Sequence, residues 1–404
     1  MRFDLHVRQG VRDQVGSLAV QMASWEARAP LSDEAREWIL QAITPFAHTT
    51  VAAGLHVAGV DGSGDYPALT YADSFVYLTV AASALYASDS LSGLREVAPV
   101  PAPLVEFTWL STDEWQREQA LLAAFGRLGG LPVDEVLGQS DYRMLKAAGM
   151  TQSVEALRAG LILPPAHDAG NLGIQLRTSA ELGAALRLIE TVPPGTLVLT
   201  DGTLTLPFAS RERQSLFPEH LRRLCCVRAR DRGVVFVALS KSHGLRGEEQ
   251  LEALAREKMG GGAGVPEHWY LRVGGEPFDN PVVAYLDPGG RLPPAGAVTY
   301  FVRLHRTTPL FRLDLDQFFW EQHIRGASDE ETRCNEEALL GRLDYASHDQ
   351  RAYGYPYPIK AAHDRASLTD QERAALRKQI MDAAVQAGMR RSLFRSVALA
   401  TGHA

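Results

Sequence analysis

Two apolar runs of this chain, residues 55–60 and 196–200, meet the same ending: Asp61-Gly62-Ser63 after the first and Asp201-Gly202-Thr203 after the second. Short runs of aliphatic and β-branched residues favour buried strands. Asp-Gly favours a turn, because aspartate hydrogen-bonds its own backbone and glycine accepts positive φ. The repeated pattern therefore predicts two strands that each present a carboxylate where they stop. A helical pattern over residues 179–190 leads into the second strand, so the core predicted is α/β, a mixed sheet flanked by helices.

The surrounding segments enlarge that core. Residues 75–81 and 104–110 are rich in β-branched and aromatic residues, and residues 233–240 are strongly apolar, which gives the order β-β-β-α-β-α-β. Strand-like runs at 268–273, 282–286 and 298–305 predict extra β-strands, either an extension of the sheet or a second layer. Residues 1–50 read as helical, with Ser32 placed to cap a segment whose first turn carries Asp33 and Glu34. Between residues 111 and 165 the composition turns to Leu, Ala, Glu and Arg at helical spacing until Pro164-Pro165 interrupts it, which predicts a helical insertion. Residues 369–404 predict a C-terminal helix and tail, opened by the capping box of Thr369 and Glu372. The glycine-rich run from Gly260 to Gly264 predicts a mobile loop. With no internal repeats, residues 1–404 read as one domain.

Composition limits the partners. The 404 residues are 46% hydrophobic and 22% charged, enough for a large core. No run approaches the ~20 apolar residues of a membrane helix, and Met1-Arg2-Phe3-Asp4 does not open a signal peptide, so a cytoplasmic location and no membrane partner are expected. Cys225, Cys226 and Cys334 have the spacing of neither a disulfide framework nor a zinc site. A net charge of −7 confines any nucleic-acid contact to a local basic surface. The candidate is residues 211–232, where Arg211, Arg213, Arg222, Arg223, Arg228, Arg230 and Arg232 outnumber Glu212, Glu219 and Asp231. Such a run suits phosphate, although a solvated face has the same composition.

Carboxylates at adjacent strand ends can share a hard divalent cation, which prefers oxygen ligands. Glu181, on the helix before the Asp201 strand, is placed to add a third carboxylate, with Glu96 and Glu106 as substitutes. The segment Tyr353-Gly354-Tyr355-Pro356-Tyr357-Pro358 leads to His363, which could ligate a metal or handle a proton. Tyr355 beside it could bond a phosphate or a water, or simply pack on the prolines. Lys241, where the 233–240 run ends, could neutralise phosphate charge or face solvent.

At Val60-Asp61-Gly62-Ser63, Glu181, Leu199-Thr200-Asp201-Gly202-Thr203-Leu204, Ser240-Lys241 and the stretch from Tyr355-Pro356 to Ala362-His363, the chain resembles the NurA nucleases, partners of the HerA hexameric ATPase. The resemblance implies a ribonuclease-H-like fold and a centre holding Mn²⁺ or Mg²⁺, two ions per site. It further implies single-strand endonuclease and 5′-to-3′ exonuclease activity in DNA end resection, and a homodimer enclosing DNA. Carried over to this sequence, Asp61, Glu181 and Asp201 become metal ligands, His363 a ligand or acid, and Tyr355 a positioning group. Thr203 stands where the family more often has serine. The tail from Met389, with Leu393, Phe394, Val397, Ala398 and Leu399 beside Arg390, Arg391 and Arg395, has a composition suited either to docking the ATPase or to folding back on its own core.

Two rival readings use a related core. A sugar-kinase or actin-like phosphotransferase also carries Asp-Gly-Thr turns, but it needs a late Gly-Gly loop followed by a helix, whereas Gly274-Gly275-Glu276 runs into Pro277. A catalytically idle adaptor of an ATPase ring would lose the carboxylates that this chain keeps.

Overall fold

The computed structural model describes residues 5–26, 32–89, 93–145, 153–165, 167–204, 214–241, 248–260, 268–274 and 296–395. The chain opens with α1 (Leu5–Glu26), α2 (Asp33–Ala42) and β1 (Ile43–Pro45), followed by β2 (His56–Ser63), β3 (Leu69–Tyr71), β4 (Ser74–Asp89), β5 (Gly93–Glu96) and β6 (Leu104–Leu110). Helices α3 (Glu114–Gly129), α4 (Val133–Gln139), α5 (Tyr142–Leu145) and α6 (Val154–Ala159) fill the stretch read as helical, and the long α7 (Ala169–Thr191) comes next. Then come β7 (Leu197–Asp201), α8 (Phe217–Arg232), β8 (Val235–Ser240), α9 (Glu248–Lys258), β9 (Trp269–Val273), β10 (Ala297–Arg303) and β11 (Phe311–Asp316). The chain closes with α10 (Gln317–His323), α11 (Asp329–Ser347), α12 (Tyr357–Ala366), α13 (Asp370–Gln386) and the two-residue β12 (Phe394–Arg395).

One sheet runs through the described residues in the order β1-β9-β10-β11-β8-β7-β2-β4-β3-β12, with β5 and β6 also paired to β4. Strands β2, β7 and β8 are parallel, while β4 runs against both β2 and β6. The order β6-β4-β2-β7-β8 with only β4 reversed is that of a ribonuclease-H-like core, and β11, β10, β9 and β1 extend the same sheet. The runs at 268–273 and 298–305 thus extend the sheet and do not form a second layer.

Side chains alternate between the two faces of each strand. Ala58, Val60, Val198 and Phe236 point to one face and pack on Phe125, Leu176, Leu186 and Leu221 of α3, α7 and α8. Val57, Leu197, Leu199 and Val237 point to the other, against Leu340, Leu343, Ile359 and Ala362 of α11 and α12. Both Asp61 and Asp201 carry odd numbers and fall on the α12 side. At the far edge, β1 and β9 pack on α2 and α9 through Ile39, Ile43, Leu251 and Leu271.

The predicted caps form: Ser32 accepts the Ala35 amide, and Thr369 and Glu372 bond reciprocally. Helix α7 starts ten residues before the expected Ser179, at a cap in which Asp168 accepts the Asn171 N–H. Its glycines and polar residues obscure the helical period, and packing supplies what propensity lacks. Strand β11 and helices α10 and α11 have no counterpart in the predicted elements. The strand-like run at 282–286 and most of the glycine-rich loop, residues 261–264, lie outside the described residues.

Candidate active site

β7 stops at Asp201, but β2 does not stop at Asp61. The long β4 still offers it partners, Asp61↔Ala82, Gly62↔Ala81 and Ser63↔Val80. The first Asp-Gly-hydroxyl element is therefore strand, and the backbone turns only at Gly64, with φ of +125°. This corrects the expectation of two strand-ending turns without separating the aspartates. Val60 lies opposite Thr200 on the parallel neighbour, so Asp61 and Asp201 come next in line side by side.

Glu181 arrives from α7 on the other face of the sheet. It passes the strand at Gly62, where a Cβ would stand 2.8 Å from Glu181 Cγ and 3.1 Å from its Oε1. Any larger residue would push the carboxylate away. Helix α12 approaches β2 equally closely, since a Cβ on Gly59 would lie 2.3 Å from the Pro358 carbonyl carbon. That approach brings His363 Nδ1 to 2.6 Å from Asp61 Oδ2, while the Gly62 N–H donates to Oδ1 at 2.8 Å. The His363 ring is well exposed, and its Nε2 lies 3.3 Å from Ser367 Oγ.

Burial pushes the Glu181 carboxyl up to about 8, opposed by Arg177 and reinforced by the charges of Asp61, Asp201 and Asp65. Asp201 is exposed as a residue, yet its carboxyl is also pushed up, first by lost hydration and then by Asp61, against the pull of Lys241. Lys241 stands with Nζ 3.8 Å from the centre of the Tyr355 ring, a cation-π contact. The Tyr355 hydroxyl is buried with no hydrogen-bond partner among the described residues. Burial and the two aspartates hold it above the usual phenol range.

The predicted residues Asp61, Glu181, Asp201, Lys241, Tyr355 and His363 are thus brought to one end of the sheet. Two residues not singled out in the sequence join them. Arg177 holds Glu181 Oε1 at 3.3 Å and Asp65 Oδ1 at 2.8 Å. The Arg-x-x-x-Glu spacing within one helix was the available signal. The substitutes Glu96 and Glu106 are engaged elsewhere, with Arg365 and Arg127.

The arginine run is corrected. Residues 217–232 form α8, packed on the core, and Arg223 is 1% exposed. Its guanidinium bonds Asp141 at 2.7 and 2.9 Å and Asp316 at 2.7 Å, so it cannot meet DNA. Arg230 also bonds Asp316, and Arg228 and Arg232 face Glu190. Arg222 is half-buried, and burial pulls its guanidinium down. Helix packing turns Arg223 and Arg230 toward the buried Asp141 and Asp316, which composition does not reveal, while Arg232 stays exposed beside Glu190. Arg211 and Arg213 lie outside the described residues. The tail folds back as far as it is described: β12 pairs with β3, and Phe394 packs on Tyr71 with ring centres 4.8 Å apart.

The chemistry of these donors suits a divalent cation, although no three of Asp61, Glu181, Asp201 and His363 bring ligand atoms within 4.8 Å of one another in this structure. Three carboxylates converge, one so deeply that it tends to hold its proton, and oxygen donors of this kind suit Mn²⁺ or Mg²⁺. The ion would supply the positive charge that the proton otherwise provides.

The sequence matches no protein-family model and no curated protein. Among solved structures, the chain is similar to the NurA nuclease from Sulfolobus solfataricus at 13% identity and a TM-score of 0.49, over 95% of this chain and 98% of that one. It is similar to a NurA crystallised with dAMP and manganese at 12% identity and a TM-score of 0.38, over 96% and 98%. An endonuclease V from Streptomyces avermitilis aligns at 13% identity and a TM-score of 0.28, over 87% and 96%. No described helix is long and apolar enough to cross a membrane.

Proposed function

We propose that this chain is a divalent-metal-dependent deoxyribonuclease that hydrolyses phosphodiester bonds at the centre formed by Asp61, Glu181 and Asp201. One observation carries the reading: two aspartates in register on parallel strands and a buried glutamate threaded past Gly62 meet a histidine fixed on one aspartate. Four carboxylates, Asp61, Asp65, Glu181 and Asp201, outnumber the Arg177 and Lys241 cations beside them, an excess of negative charge suited to a cation.

When bound, Mn²⁺ or Mg²⁺ would polarise a phosphate oxygen and acidify a water. The remaining work falls to the chain. Asp61 fixes the His363 ring through Nδ1, which leaves Nε2, 3.3 Å from Ser367 Oγ on a largely exposed ring, to hand a proton to the departing oxygen. The buried Tyr355 hydroxyl, without a partner of its own, positions the water or a phosphate oxygen by hydrogen bonding. Lys241, held over the Tyr355 ring, offsets charge on the phosphate. Arg177 holds Glu181 and Asp65 and keeps the glutamate pointed at the cluster.

The motif resemblance to NurA adds the finer reading: single-strand endonuclease and 5′-to-3′ exonuclease activity in end resection, a homodimer, and a HerA-type ATPase as partner. The deciding experiment incubates the purified chain with end-labelled single-stranded DNA in Mn²⁺, Mg²⁺ or EDTA. Cleavage should require the metal and disappear in Asp61→Ala and Asp201→Ala variants that stay folded. Metal-independent cleavage, or wild-type rates in either variant, would reject the site. Co-purification with a HerA-type ATPase and the mass of the free chain test the partner and the dimer.

A further inference from the structure

A second group of ligands lies at the same end of the sheet, several strands away. β9 runs antiparallel to β10, with Trp269 opposite Arg303, and β1 antiparallel to β9, with Pro45 opposite Trp269. This places the residue before β9 and the loop after β1 at the end that carries Asp201. Four strand spacings separate β7 from β9, about 20 Å. There His268 and His48 meet Asp344 and His348, which sit four apart at the end of α11 and so share one helix face. Each of the four offers one ligand atom, and all four atoms lie within 4.8 Å of one another.

We propose that His48, His268, Asp344 and His348 form a second metal site, selective for a borderline transition metal such as Zn²⁺. The proposal stands apart from the carboxylate centre and does not depend on the reaction assigned to it. Asp344 is the hub: His48 Nδ1 lies 2.8 Å from its Oδ2, and His268 Nε2 and His348 Nδ1 lie 3.2 and 3.0 Å from its Oδ1. Four ligands around a zinc at metal–nitrogen distances of about 2.0–2.1 Å stand roughly 3.4 Å apart, so the contacts to Asp344, at 2.8, 3.0 and 3.2 Å, open by a few tenths of an ångström when an ion enters.

Part of the cluster is held by hydrogen bonds that an ion would replace, His48 Nδ1 to Asp344 Oδ2 and His348 Nδ1 to the Asp344 backbone carbonyl, both at 2.8 Å, and one buried contact within it is left unsatisfied. His268 Nε2 and Asp344 Oδ1 are both buried and 3.2 Å apart without an aligned hydrogen bond, and His348 Nδ1 reaches the same oxygen at 3.0 Å. Two buried polar atoms in contact without a hydrogen bond between them are a place where an ion would satisfy both. The Thr49 N–H, at 2.7 Å from Oδ2, holds the carboxylate in place as metal-ligand carboxylates are usually held. Burial falls from Asp344, fully enclosed, through His268 and His348 to His48, whose side chain is 39% exposed and forms the entry. Three imidazoles and one carboxylate prefer Zn²⁺, Co²⁺ or Ni²⁺ to the oxygen-seeking ions that suit the first centre.

Such a site has a structural consequence for that centre. Tyr353 packs edge-on against His348 and His305, with ring centres 5.2 and 4.7 Å apart, and the Gly354 N–H donates to the Ser347 carbonyl at 2.6 Å. An ion that ties the end of α11 to β1 and β9 therefore anchors the turn that delivers Tyr355.

The test titrates Co²⁺ into the metal-stripped full chain and reads the intense visible absorption of four-coordinate cobalt, which an oxygen-rich six-coordinate centre does not give. One equivalent should produce the band, and Zn²⁺ should displace it. His48→Ala, at the exposed position least able to disturb folding, and His348→Ala should each weaken binding by about tenfold or more. The Asp61→Asn/Asp201→Asn double variant should keep the band. Circular dichroism checks that each variant is folded. A wild-type protein without the band, a band at full strength in either histidine variant, or one that vanishes with the aspartates overturns the proposal.

Discussion

Replacing Glu181 by glutamine should stabilise the metal-free protein at neutral and alkaline pH. The side chain is buried, and its surroundings raise the carboxyl from 4.5 to about 8. Because the folded value lies above the unfolded one, the stability this group contributes is fully present below about pH 4.5 and is lost as pH rises through about 8. At about 1.36 kcal/mol per pH unit, the interval corresponds to ~4–5 kcal/mol, on the order of a third or more of a typical domain's stability. Glutamine keeps the shape and removes the titration. Urea unfolding in EDTA at about pH 5, 7 and 9 should show wild type falling progressively below Glu181→Gln. Excess Mn²⁺ should reverse the loss, because an ion that binds only the folded, ionised cluster stabilises it by mass action. If wild type and variant run in parallel across the range, the carboxylate is not held in a desolvated, negatively charged pocket, and the electrostatic account of the site fails.

Arg223→Ala should cost ~3–5 kcal/mol, since it leaves Asp141 and Asp316 buried without their shared cation; chemical denaturation measures this, and an unchanged midpoint with weakened DNA binding would restore the phosphate-contact reading. His363→Ala should lower kcat by about 10²–10⁴ while single-strand affinity, read by fluorescence anisotropy with Ca²⁺ replacing Mn²⁺, stays within about twofold. A parallel fall in affinity and rate would make the histidine a packing residue. Gly59→Ala should destabilise by ~1–3 kcal/mol and slow cleavage, because the added methyl meets the Pro358 backbone at 2.3 Å and moves α12 with His363; a variant with wild-type rate and stability would mean that α12 can shift without consequence.

The sequence by itself determined the strands that matter and the residues they carry. Periodicity and turn chemistry are local, so β2, β6, β7, β8 and the caps at Ser32 and Thr369 were legible, as were Asp61, Asp201 and the lysine after β8. Glu181, Tyr355 and His363 were legible as candidates from their place after or before those elements, and the resemblance in motif order gave them their roles. Tertiary structure decided what those local signals cannot contain. Whether Asp61-Gly62-Ser63 turns or continues depends on how far β4 runs alongside it, which the Asp-Gly dipeptide does not contain. Arg223 reads as a surface charge until Asp141 and Asp316, from distant elements, close around it. The group of His48, His268, Asp344 and His348 draws its members from a loop, a strand start and a helix end. Only Asp344 and His348 have a spacing that could be read, because a ligand set is a property of where strands and helices cross and not of how residues follow one another.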